Sequence, residues 1–127
     1  MIAADTSTWI SFLQGASGQD VDLLDQALAD RQVLMVPVVL TELLSDPKLS
    51  DKVVGTLSQI PMMEVQPDYW KRAGILRSKA LARLRKARLG DALIAQSCLD
   101  RGILLLTRDR DFYTFGALAG LDLIFGP

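Results

Sequence analysis

Histidine is absent from this 127-residue sequence, and cysteine occurs once. The first absence removes the commonest general base and zinc ligand, together with every Ser-His or Cys-His arrangement. The second excludes an internal disulfide. Cys98 stands among Leu93, Ile94, Ala95 and Leu99, surroundings that predict a buried structural thiol. No apolar run approaches the roughly 20 residues needed to span a bilayer, and Met1 leads straight into Ile2, Ala3 and Ala4 without a charged leader. A cytoplasmic protein without a membrane contact is the expectation. Net charge is −1, so the molecule as a whole does not attract a polyanion. What remains for catalysis is carboxylate, metal and water.

Half of the residues are hydrophobic, which excludes a disordered chain, and the length suits one domain over residues 1–127. Apolar runs recur at Ile2 to Ala4, Val33 to Val36, Met62 to Val65, Ile103 to Leu106 and Leu121 to Phe125. Helical patterns separate them. Thr6 or Ser7 can cap a first helix with Trp9, Ile10, Phe12 and Leu13, and Asp20 a second with Val21, Leu24 and Leu28. Pro37 starts a third containing Glu42, which Asp46 and Pro47 stop. A fourth covers Lys52 to Ile60. A long helix is expected from Asp68 to about Arg88, with Trp70, Ala73, Ala80 and Leu84 as its apolar stripe. Gly90 breaks that pattern, and Asp91 opens a helix that stops at Gly102. The alternation predicts an α/β fold: a three-layer domain with a central parallel sheet of about five strands, flanked by helices. No internal repeat or low-complexity segment interrupts it.

Four acidic residues, Asp5, Glu42, Asp91 and Asp109, stand where apolar runs end or helices begin. In a parallel α/β sheet those positions converge at the carboxyl ends of the strands. Carboxylates a few ångströms apart raise one another's proton affinity, so such a cluster requires a hard cation, Mg²⁺ or Mn²⁺. Each residue also has a plainer explanation. Asp5 and Asp91 suit helix starts, and Glu42 suits a solvent-facing turn. Asp109 and Asp111 follow the most hydrophobic strand, where α/β proteins place functional loops.

The motifs Ala-Asp-Thr-Ser near the N-terminus, Val-Val-Leu-Thr-Glu-Leu-Leu at 38 to 44, Gly-Asp-Ala-Leu-Ile-Ala at 90 to 95 and Leu-Thr-Arg-Asp-Arg-Asp-Phe at 106 to 112 form one ordered set. In that order and spacing the chain resembles the PIN-domain ribonucleases, most closely the VapC-type toxins of toxin–antitoxin modules. The resemblance implies that Asp5, Glu42, Asp91 and Asp109 form an acidic metal site. Thr107 or Thr6 would support it, with Asp111 as an accessory carboxylate. It further implies Mg²⁺ or Mn²⁺, cleavage of single-stranded RNA, a homodimer and a protein antitoxin that pushes a basic side chain into the acidic pocket. Two departures stand out: Ala3 and Ala4 before Asp5, where bulkier residues are common, and Gln96 where a small residue is often found. Neither touches the four acids.

Water attacking in line on phosphorus would leave a 5′-phosphate and a 3′-hydroxyl. Asp5, Asp91 and Asp109 are the expected direct ligands, with Glu42 as ligand or water-orienting base. RNA attraction must then be local. Between Lys71 and Arg88 lie eight basic residues (Lys71, Arg72, Arg77, Lys79, Arg83, Arg85, Lys86, Arg88) and no acidic one. Arg85, Lys86 and Arg88 are therefore candidate RNA contacts at the mouth of the site, and Arg108 is another. An ordinary solvated helix face is the plainer reading of the same charges. Trp9, Phe12, Tyr69 and Trp70 are expected in the core or at a partner contact. Two other functions compete: a catalytically silent RNA-binding or interaction module of this fold, and a receiver-like signalling domain. The latter lacks its late-strand lysine, since Leu104 to Thr107 supplies none.

Overall fold

A computed structural model describes residues 1–126. Three strands form one parallel sheet in the order β1-β2-β3: β1 (Ile2–Ala4), β2 (Leu104–Thr107) and β3 (Leu123–Phe125). Ala3 lies opposite Leu105, and Leu106 opposite Ile124. The helices are α1 (Thr6–Leu13), α2 (Gln19–Ala29), α3 (Pro37–Leu44), α4 (Asp51–Ser58), α5 (Tyr69–Ala82), α6 (Leu89–Arg101) and α7 (Tyr113–Ala119). A 3₁₀ turn at Arg110–Phe112 precedes α7. The helices flank the sheet, with α1 and α2 packed on each other and α5 on α6.

The sheet has three strands rather than about five. The segments expected as strands at Val33 to Val36 and Met62 to Val65 each contribute a single parallel bridge, Ile2 to Val33 and Met35 to Met62. Backbone bonds extend the layer at those points, Leu34 N–H to Ile2 O at 3.0 Å and Met63 N–H to Met35 O at 2.9 Å. Pro37 turns the first segment into α3 after four residues, and Pro61 and Pro67 bracket the second. Proline supplies no N–H, so neither segment extends to a ladder.

Asp5, not Thr6 or Ser7, caps α1: its side chain accepts the backbone N–H of Thr8. Gly18 rather than Asp20 precedes α2, and Asp20 is buried in the first turn. Helix α5 ends at Ala82, well short of Arg88. Arg85 N–H bonds Ala80 O and Leu84 N–H bonds Leu81 O, with Leu84 at φ 56°. That is a Schellman closure with leucine at the position that favours glycine.

The buried face of α5 is Tyr69, Ala73, Leu76 and Ala80. Trp70 and Leu84, expected on that face, are 68% and 95% exposed. Tyr69 sets the helical phase. Its hydroxyl donates to Leu93 O at 2.6 Å and accepts from Ser97 Oγ at 3.0 Å. These bonds satisfy a buried hydroxyl as the ring enters the core. The core centres on Trp9, Leu24, Met35, Leu57, Ile94, Leu105, Leu106, Phe112 and Phe115. Complete burial of one such large apolar side chain contributes about 1.5–3 kcal/mol. Cys98 is buried as expected, and burial pushes its thiol up to about 12.

Candidate active site

The carboxyl ends of β1 and β2 lie side by side, so the residues that follow them meet. Asp5 leaves β1 with only 3% of its surface exposed. Its Oδ1 accepts from Ser7 Oγ at 2.7 Å and Thr8 N–H at 2.9 Å. Its Oδ2 accepts from Thr107 Oγ1 at 2.5 Å, and Ser7 Oγ lies 2.9 Å from the same atom. Burial raises the proton affinity of Asp5; the hydrogen bonds oppose that shift, and the negative charge of Asp109 adds to it. The N-cap and site readings of Asp5 thus coexist in one side chain.

Asp109 follows β2 and caps the 3₁₀ turn by accepting the Asp111 N–H at 2.9 Å. This local turn brings residue 111 back beside residue 109. Asp91 comes from the first turn of α6, where the helix N-terminus favours a negative charge. One carboxylate oxygen from each of Asp91, Asp109 and Asp111 lies within 4.8 Å of the others. Burial first, then Asp109, push Asp91 up to about 6; Arg88 opposes the shift, while Asp5 and Asp111 add to it. Asp91 Oδ2 is buried with no hydrogen-bond partner among the described residues.

Glu42 is exposed. Thr6 Oγ1 donates to its Oε1 at 3.0 Å, and a Cβ on Gly90 would lie 3.6 Å from the same oxygen. Glu42 therefore bridges the starts of α1 and α6. Gly90 sits inside the first turn of α6 and does not break the helix.

The donor set suits a hard divalent cation. It is all oxygen, its carboxylates repel one another, and it includes an orphaned buried oxygen that a cation would satisfy. The compact group differs from the expected one: Asp111 joins Asp91 and Asp109, while Asp5 and Glu42 lie outside that trio. Sequence spacing alone did not distinguish 111 from 109. The capping bond that folds 111 back onto 109 brings both into the group.

The basic candidates separate by what they touch. Lys86 Nζ lies 3.5 Å from Asp111 Oδ2, and Arg85 lines the same cleft. Arg88 is the exposed residue just before α6. Arg108 is committed elsewhere: its Nε and one terminal nitrogen donate to Asp20 at 2.9 and 3.1 Å, and Ser17 O takes another bond. It serves the fold rather than an RNA phosphate. Within the basic segment, Arg72 pairs with Asp100, and Arg77 Nε donates to Ala87 O at 2.9 Å. Sequence reading missed Asp20, which has the pattern of a helix cap yet is fully buried against Thr8 and Arg108.

The PIN domain family model matches residues 2–118. The chain belongs to the PIN domain family. No curated protein matches it at significant similarity. Among solved structures, VapBC-5 of Mycobacterium tuberculosis, described as a toxin–antitoxin system, is 21% identical, with TM-score 0.71 and coverage of 98% of this chain and 97% of that one. VapBC2 from Rickettsia felis, bound to a DNA fragment from its promoter, is 16% identical, with TM-score 0.75 and complete coverage of both chains (100% each). DNA-bound VapBC from Salmonella typhimurium is 16% identical, with TM-score 0.73 and 98% coverage of each chain. These likenesses establish a shared PIN fold with helices around a parallel sheet.

Proposed function

We propose that this PIN domain is a Mg²⁺- or Mn²⁺-dependent endoribonuclease that hydrolyses RNA phosphodiester bonds as the toxin of a type II toxin–antitoxin module. The observation that carries the reading is the trio Asp91, Asp109 and Asp111 within 4.8 Å, with the Asp91 oxygen left unpaired. These three residues would hold the cation, with Asp5 reinforcing the negative field from behind its hydrogen bonds. When bound, the cation supplies charge neutralisation, an acidified water and polarisation of the phosphoryl oxygen.

The remaining steps fall to the chain. Glu42, held by Thr6, accepts the proton of the attacking water. Attack on phosphorus breaks the P–O3′ bond, the departing O3′ takes a proton from solvent water, and the products are a 5′-phosphate and a 3′-hydroxyl. Thr107 and Ser7 donate to Asp5 and oppose the burial that raises its proton affinity. Lys86, beside Asp111, exchanges that carboxylate for a substrate phosphate. No histidine or RNA 2′-hydroxyl is required.

The partner in this reading is a protein antitoxin. An apolar groove of about 500 Å³ lined by Ile10, Leu13, Leu43, Leu49 and Val53 has Glu42 on its wall, so an amphipathic helix seated there would deliver a basic side chain to the acids. A homodimer and a cytoplasmic setting complete the reading, tested by sedimentation and by fractionation of the source cells. Among the described residues no helix is long and apolar enough to cross a membrane.

Cleavage of a labelled single-stranded RNA with Mg²⁺, Mn²⁺ or EDTA, beside Asp91→Asn and Asp5→Asn, tests the activity. Metal-dependent cleavage with 5′-phosphate products, lost in both variants, is the expected result. RNA binding without cleavage in either metal would instead indicate the catalytically silent binding module.

A further inference from the structure

Six of the arginines fall into two sets. Arg72, Arg77 and Arg108 are engaged with Asp100, the Ala87 carbonyl and Asp20. Arg83, Arg85 and Arg110 form no ion pair among the described residues, and all three line one cleft of about 550 Å³ with Lys86, Asp111 and Tyr113. Four cations against one carboxylate make a strongly positive cavity. Asp111 belongs both to this cleft and to the acidic trio, so the two sites share a wall.

Two of the cleft's groups are ordered in advance. The Arg110 guanidinium lies 4.5 Å from the centroid of the Phe125 ring, and the Tyr113 ring stacks on Phe125 at 4.4 Å and 28°. Tyr113 nevertheless stays 59% exposed. Arg83 and Arg85 flank Leu84, whose left-handed conformation turns the chain at the end of α5, and both line the same cavity. A cleft that combines several cations with one exposed aromatic ring has the composition of a stacking platform beside a phosphate track.

We propose that the cleft lined by Arg83, Arg85, Arg110 and Tyr113 is a nucleotide subsite adjoining the cleavage centre. Resting on the ribonuclease reading above, it assigns these residues to the strand next to the scissile bond. The arginines hold one or two backbone phosphates, and Tyr113 offers its exposed surface to a base. Lys86, paired with Asp111 until substrate arrives, marks the boundary between subsite and acids. Preordering by Phe125 lowers the entropy lost when the strand is fixed.

Anisotropy with a labelled single-stranded RNA in EDTA measures binding without turnover, and cleavage with Mn²⁺ is measured separately. Arg83→Ala combined with Arg110→Ala is expected to weaken binding about 10-fold and to reduce the salt dependence by about one to two ions. Tyr113→Ala is expected to weaken it about 5- to 10-fold, with Tyr113→Phe restoring it, as stacking on a base requires. Arg31→Ala and Arg101→Ala, both exposed and outside the cleft, serve as controls for general charge. Cleft and control variants losing affinity equally would overturn the subsite, as would wild-type binding by the cleft variants at unchanged melting temperature. A cleft-specific loss in a protein that binds RNA but cleaves none would retain the subsite and reject only the catalytic reading. If the cleft variants bind RNA normally but lose affinity for a protein partner, the surface is a protein contact and the proposal fails.

Discussion

Thr107 reaches across 102 positions of sequence to donate to Asp5 Oδ2 at 2.5 Å, while the same hydroxyl accepts the Asp109 N–H at 2.9 Å. One hydroxyl thus fixes the carboxylate after β1 and the backbone of the acid after β2. Thr107→Val leaves an unpaired N–H and removes a donor from a buried carboxylate. A stability loss of about 1–3 kcal/mol is expected, with divalent-metal affinity reduced about 10- to 100-fold. Thr107→Ser should retain both. Denaturant melts and metal titrations of the two variants check this; equal behaviour of Val and Ser would eliminate the bridging role.

Asp91 makes stability depend on pH in an unusual direction. Its proton affinity is raised in the folded state, to about 6 from 3.8, so the folded protein binds a proton that the unfolded chain releases. The resulting stabilisation is complete below about 3.8 and is lost as pH rises through about 6. Asp5 shifts in the same direction. The metal-free protein should therefore melt higher at pH 5 than at pH 7.5. After discounting for solvent screening, the Asp91 contribution is about 1 kcal/mol.

Asp91→Asn should raise the melting temperature at pH 7.5 without metal, flatten the pH dependence and abolish cleavage. Added Mn²⁺ should stabilise the wild type more than this variant, since a cation relieves the repulsion that the substitution removes. Calorimetry with and without EDTA measures both effects. A variant that melts lower than wild type at pH 7.5 would contradict the repulsion.

The pair of buried Asp20 and half-buried Arg108 predicts a large penalty for removing the cation. Arg108→Ala leaves a fully buried carboxylate without its cation, at a cost of about 3–5 kcal/mol. Asp20→Leu combined with Arg108→Met should recover much of that loss. Gly126→Ala offers an independent probe, because a Cβ there would overlap the Asp20 carboxyl group; about 1–3 kcal/mol of destabilisation is expected. Chemical denaturation of the set gives the answer, and a neutral Arg108→Ala would show that the pair contributes little.

Leu84 holds a left-handed conformation at φ 56° with its side chain 95% exposed. Leu84→Gly removes the steric cost at a helix closure where glycine is the usual residue, and a gain of about 0.5–1 kcal/mol is expected. A melting temperature below wild type would show that the leucine packs against something in solution.

Local features were legible wherever a residue's neighbours in sequence dictated its state. Ile2 to Ala4 and Ile103 to Leu106 read as buried strands because continuous apolar runs suit a sheet covered on both faces. Pro37 announced α3 through its fixed φ. The failures needed information from elsewhere in the chain. Tyr69 won the buried face of α5 over Trp70 because Leu93 and Ser97 on α6 offered its hydroxyl partners. The two short segments near the prolines read as strands, yet each formed one bridge, since apolar composition does not reveal how many consecutive pairs a neighbour can supply.

By itself, the sequence determined that histidine takes no part in any chemistry here and left carboxylates as the candidates, since it contains no histidine and a single cysteine, which is buried. It also set where those acids stand, at the ends of apolar runs, because chain punctuation is local. Only the tertiary structure decided which acids share a site. The parallel pairing of β1 with β2 placed Asp5 beside Thr107, the first turn of α6 delivered Asp91, and the Asp109 cap folded Asp111 into the trio. Burial and mutual repulsion then set the proton affinity of Asp91, and both depend on long-range packing that no single segment encodes.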